Sequence, residues 1–112
     1  MNADKRRSEL NSVTERVIAC AFRVSNTLGS GFVEKVYENA LALELQREGL
    51  RVTQQHPITV RYSGEVVGEF AADLLVDDAV TVEVKAVKAL DEVHEAQCLN
   101  YLWSVLRYGY GP

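Results

Sequence analysis

The chain is 112 residues long, with 47% apolar and 25% charged side chains, the make-up of one ordinary globular domain. Its longest apolar run, Val17 to Phe22, is far short of the ~20 residues that a membrane helix needs, and Met-Asn-Ala-Asp-Lys-Arg-Arg at the start lacks the apolar stretch of a secretory signal. Twelve basic against sixteen acidic side chains leave a net charge of −4, so no bulk cationic field is available to hold nucleic acid. A local basic patch or a metal ion would be needed. One cytoplasmic domain over residues 1–112 is expected, with no membrane contact.

Residues 1–8 are polar and basic and are expected to be disordered. From Leu10, the residues Val13, Val17, Ala21, Val24 and Leu28 step by three or four, which predicts one helix face. Gly29-Ser30-Gly31 stops that helix. A second helix is predicted from Phe32 to Glu48, with Val33, Val36, Tyr37, Ala40, Leu41 and Leu45 inward. The period then falls to two. Val52, His56, Ile58, Val60 and Tyr62 mark a first strand, closed by a Ser63-Gly64 turn. Strands from Val66 to Val76 and from Val80 to Val87 follow, joined through Asp77-Asp78. A last helix is predicted from Asp91 to about Leu106, with Val93, Ala96, Leu99, Leu102 and Leu106 inward. The order is that of an α+β domain: two helices, a three-stranded antiparallel meander and a helix. Cys20 and Cys98 form no C-x-x-C pair and read as reduced thiols.

Charges interrupt the second and third strands. Asp73 lies in Phe70-Ala71-Ala72-Asp73-Leu74-Leu75-Val76, and Glu83 and Lys85 lie in Val80-Thr81-Val82-Glu83-Val84-Lys85-Ala86-Val87. A charge in a buried strand costs several kcal/mol unless it is paired or metal-bound. Residues i and i+2 share a strand face about 6.6 Å apart, so Glu83 and Lys85 point the same way. Pairing Val76 with Ala79 across the turn sets Asp73 opposite Val82, beside Glu83. A shift of one residue makes the two carboxylates direct neighbours. Two hard carboxylates and an ammonium suit a divalent-metal site for phosphodiester hydrolysis, with Mg²⁺ or Mn²⁺ as the ion. The plainer alternative is a half-solvated sheet face carrying a Glu83–Lys85 charge pair.

Gly31-Phe32-Val33-Glu34-Lys35-Val36-Tyr37 resembles the motif that names the GxxExxY family, a branch of the PD-(D/E)XK nuclease superfamily. The resemblance continues through the Asp73 strand, the Glu83-x-Lys85 strand and His94-Glu95-Ala96-Gln97-Cys98-Leu99-Asn100-Tyr101-Leu102, covering about Thr14 to Tyr110. It implies a restriction-endonuclease-like core and a Mg²⁺-dependent site acting on DNA or RNA. In that frame Asp73 and Glu83 hold metal, Glu34 adds a helical metal contact, and Lys85 activates water or steadies charge. Gln97 and Tyr101 resemble a Q-x-x-x-Y element that orients Lys85 or the phosphate. Judged alone, Glu34 also suits a helix N-terminus, and Gln97 with Tyr101 an ordinary polar pair one turn apart. A nuclease-like module that binds nucleic acid or a protein without cutting is the alternative function.

The family pattern ends in an apolar strand, whereas here the last residues run Leu106-Arg107-Tyr108-Gly109-Tyr110-Gly111-Pro112. That strand reads as short or missing, and the chain as cut short. An open edge on the third strand would follow, and a homodimer is the expected remedy.

Overall fold

The computed structural model describes residues 3–86 and 101–107, the second stretch as backbone only. Helix α1 (Ala3–Leu28) and helix α2 (Glu34–Arg47) precede four strands: β1 (Val52–Tyr62), β2 (Glu65–Val76), β3 (Val80–Ala86) and β4 (Tyr101–Arg107). All neighbouring strands are antiparallel, in the order β1-β2-β3-β4.

The helical stripes seen in the sequence are the core-facing surfaces. Val17, Cys20, Ala21 and Val24 of α1 and Tyr37, Leu41, Ala42 and Leu45 of α2 cluster with Leu74, Val76, Val80, Val82 and Val84. Because strand side chains alternate, these even-numbered positions of β2 and β3 form one apolar face under the helices. At the rim, Arg23 of α1 reaches Glu44 of α2 and Glu48, the residue that caps it, at 3.3 and 3.4 Å. Between the helices the Tyr37 hydroxyl donates to the Gly29 carbonyl and accepts from the Phe32 N–H. The tyrosine of the glycine-containing motif thus clamps the loop that precedes its own helix.

Two expectations change. Helix α1 begins at Ala3, because Asp4 suits the positive end of the helix and pairs with Arg7 one turn on at 3.3 Å. Residues 3–8 are therefore helical and not disordered. At the other end, the predicted last helix does not reach Leu106. Residues 101–107 instead form β4, paired with β3 from Val80↔Arg107 to Ala86↔Tyr101. Tyr-Leu-Trp-Ser-Val-Leu-Arg is rich in the aromatic and branched residues that favour strands, and leucines four apart fit either period over so short a run. The remainder of that predicted helix, with His94, Gln97 and Cys98, lies outside the described residues. Since β4 covers the edge of β3, the open edge on which the homodimer was argued does not exist.

Leu41 is fully buried where both helices meet the sheet. Leu41→Ala is expected to cost about 2–5 kcal/mol of unfolding free energy in chemical denaturation followed by circular dichroism.

Candidate active site

The sheet forks at Asp73. Strands β2 and β3 pair at Val76↔Val80, Leu75↔Thr81 and Leu74↔Val82, and the ladder ends there. Continued by one step, this register would set Asp73 directly opposite Glu83 on the same face. Like charges in that position oppose close pairing, and the strands part. The Asp73 side chain then takes over as acceptor, with its Oδ2 receiving the Val84 N–H at 2.7 Å. The register is one residue from the pairing of Val76 with Ala79. Asp77 and Asp78 both adopt φ 53°, and the Ala79 N–H closes the turn on the Val76 carbonyl at 3.0 Å. Yet the ladder partner of Val76 is Val80, so Ala79 is one extra residue on the β3 side. Arg51 holds this turn through its backbone N–H to Asp77 Oδ1, 2.9 Å, and a 3.3 Å ion pair with Asp78.

Glu83 is half-buried at the fork, and its Oε2 is fully enclosed with no hydrogen-bond partner among the described residues. Burial raises its pKa above the ordinary 4.5, and the Asp73 charge raises it further. The Asp73 backbone and the Lys85 charge act the other way, while Glu38 adds a smaller upward push. Asp73 and Lys85 thus both lie close enough to Glu83 for their charges to act on it. Lys85 is exposed.

The helical carboxylate at the fork is Glu38. Glu34 is exposed in the first turn of α2. Glu38, one turn on, is 4% exposed and faces β1: its Oε2 accepts from Gln54 Nε2 at 2.8 Å and pairs with Lys35 at 3.3 Å, and its Oε1 accepts from Gln55 Nε2 at 3.0 Å. The same Gln55 Nε2 also reaches Asp73 Oδ1 at 3.3 Å. Glu38 was legible as an acid flanked by Tyr37, Leu41 and Ala42 on an inward stripe. The two glutamines carried no comparable signal, because neighbours on a strand ordinarily point to opposite faces. Gln55 breaks that alternation with φ 54°, the left-handed region, whereas the other described non-glycine residues with positive φ (Ser63, Asp77 and Asp78) lie in turns. Tyr101 begins β4 opposite Ala86, and so is not on a helix one turn from Gln97, which lies outside the described residues.

Among the described residues, no group of three or more His, Cys, Asp or Glu side chains is arranged to hold a metal ion. The candidate donors are a pair, Asp73 and Glu83. No described helix is long and apolar enough to cross a membrane.

Two helices over an antiparallel sheet that forks at an aspartate, with a glutamate and a lysine two residues apart on the next strand, define a nuclease-like α+β fold. A family model for the PD-(D/E)XK nuclease superfamily matches residues 11–110, and the chain belongs to that superfamily. No curated protein and no solved structure matches it.

The raised pKa of Glu83 has a signed consequence. The folded protein keeps this proton at pH values where the unfolded chain has lost it, so the group's contribution to stability is fully present below about 4.5 and is lost as pH rises through the raised folded value. In cation-free buffer Glu83→Gln should therefore melt above wild type at neutral pH, and the gap should narrow in acid. A gap of equal size at both pH values would show that the ionised carboxylate is not the source.

Proposed function

We propose that the fork is a Mg²⁺- or Mn²⁺-dependent phosphodiesterase site acting on DNA or RNA, in a chain of the GxxExxY branch. The observation that carries this reading is the enclosed Oε2 of Glu83, unpartnered among the described residues, beside the Asp73 carboxylate. A buried acceptor with no donor is costly, and a cation is the group that compensates it together with its neighbour. Hard carboxylate oxygens suit Mg²⁺, which keeps several waters and takes the rest of its shell from phosphate. When bound, such an ion supplies Lewis acidity and a water of lowered pKa.

The chain's own residues do the rest. Asp73 and Glu83 hold the ion, and Asp73 is fixed in place by the Val84 N–H. Lys85, exposed and two residues from Glu83 on the same strand, presents a point charge to a phosphate oxygen or to the attacking water. Glu34 as a further metal contact, and Gln97 with Tyr101 as orienting groups, complete the set that the superfamily resemblance implies. With a net charge of −4, the cation also offsets repulsion between the chain and a polyanion.

Cleavage of single- and double-stranded DNA and RNA should need Mg²⁺ or Mn²⁺. It should fall roughly 10²-fold or more in Asp73→Asn and Glu83→Gln, and by a similar factor in Lys85→Ala. Cleavage unchanged in all three variants would mark a contaminating nuclease. Binding of nucleic acid by a wild type that cuts none of these substrates would favour the non-cutting module. Independently of catalysis, a cation held by the folded state at ten times its Kd should add about 1.4 kcal/mol to wild-type stability and nothing to Asp73→Ala.

A further inference from the structure

We propose that Gln55 is a positioning residue of the fork: its left-handed backbone turns the side-chain amide across the strand, where it ties Asp73 of the sheet to Glu38 of the helix and aims the Asp73 carboxylate at the cation. This rests on the reading of Asp73 and Glu83 as a cation site.

Three observations converge on it. First, φ 54° inside an eleven-residue strand is unfavourable for a side chain with a Cβ, of order 1–3 kcal/mol, and persists only where surrounding contacts hold it. Here the contacts are the amide's own bonds, 3.0 Å to Glu38 Oε1 and 3.3 Å to Asp73 Oδ1. Second, the two bonds divide the labour on Asp73. Val84 N–H occupies Oδ2 and Gln55 occupies Oδ1, so the carboxylate is gripped at both oxygens and its plane is set. Each oxygen keeps a further lone pair for a ligand. Third, the neighbouring Gln54 bonds Glu38 and Asn39, both at 2.8 Å, and shows no bond to Asp73. Helix and sheet are therefore already joined through Glu38 Oε2 without Gln55, and what Gln55 adds is a link from Glu38 Oε1 on to the site aspartate.

The test is Mn²⁺ binding by calorimetry on the full chain, with melting temperature measured alongside. Gln55→Gly relieves the backbone strain but also takes a donor from the buried Glu38 Oε1, so its melting temperature should fall by no more than a few degrees and the variant should still fold. Its Mn²⁺ affinity should fall tenfold or more. Gln54→Ala removes helix–sheet bonds without touching Asp73 and should weaken binding less than threefold, whereas Asp73→Ala should abolish it. Gln55→Asn serves if the glycine variant does not fold. Asparagine tolerates positive φ, but its shorter amide does not span both carboxylates, and weaker binding is again expected. Wild-type affinity in either Gln55 variant, or an equal loss in Gln54→Ala, overturns the positioning role while leaving the cation site standing. A wild type that binds no Mn²⁺ removes the cation site itself, and this proposal with it.

Discussion

The bond from the Val84 N–H to Asp73 Oδ2 is the hinge of this architecture. Two antiparallel strands cannot part inside a sheet without stranding backbone donors, and a stranded buried donor costs the full desolvation of the group. By accepting that hydrogen bond, Asp73 lets β2 go on with β1 while β3 goes on with β4. The same carboxylate that needs compensation for its charge thus compensates the backbone. The fork is the gap so opened, and its acidic character follows from which residues stand at the branch point.

Three carboxylates gather there, Glu38, Asp73 and Glu83, against few cations. Lys35 pairs with Glu38 from the rim, and Lys85 lowers the Glu83 pKa from the exposed end of β3. The remaining compensation comes from amides: Gln54, Gln55 and the backbone of Val84. Amides stabilise an anion without cancelling its charge, so the cluster stays net negative. A well-packed apolar fork would be more stable. This is the ordinary conflict between stability and a site.

How much of this was written in the residue order depends on the range of the interaction. Helix faces are local, and the steps from Val13 to Leu28 and from Tyr37 to Leu45 reappear as the packed surfaces. The charges at 73, 83 and 85 stood out against apolar neighbours, and those at 73 and 85 act on Glu83. Register was harder. A one-residue change at Ala79 decides whether Asp73 faces Val82 or Glu83, and only the pairing of Val76 with Val80 settles it. Glu38 was overshadowed by Glu34 because both lie on one helical stripe, and depth along a helix is set by what the helix packs against. Gln55 was out of reach, since its role needs a backbone angle that glutamine rarely adopts. The strand from Tyr101 to Arg107 was hidden by leucines whose spacing fits a helix, and β3 supplied the pairing that decided its state.

The turn at Asp77 and Asp78 then acquires a meaning beyond closing a hairpin. It acts as a ruler. With Ala79 counted in the turn, the two acidic side chains of the fork share one face; were Ala79 to pair with Val76 instead, every residue of β3 would slide by one against β2 and Asp73 would face Val82. Arg51, at the far end of the site and chemically remote from it, guards that count by holding Asp77 and Asp78 in their uncommon conformation. The conformation of this loop is therefore under tighter constraint than its exposed setting suggests.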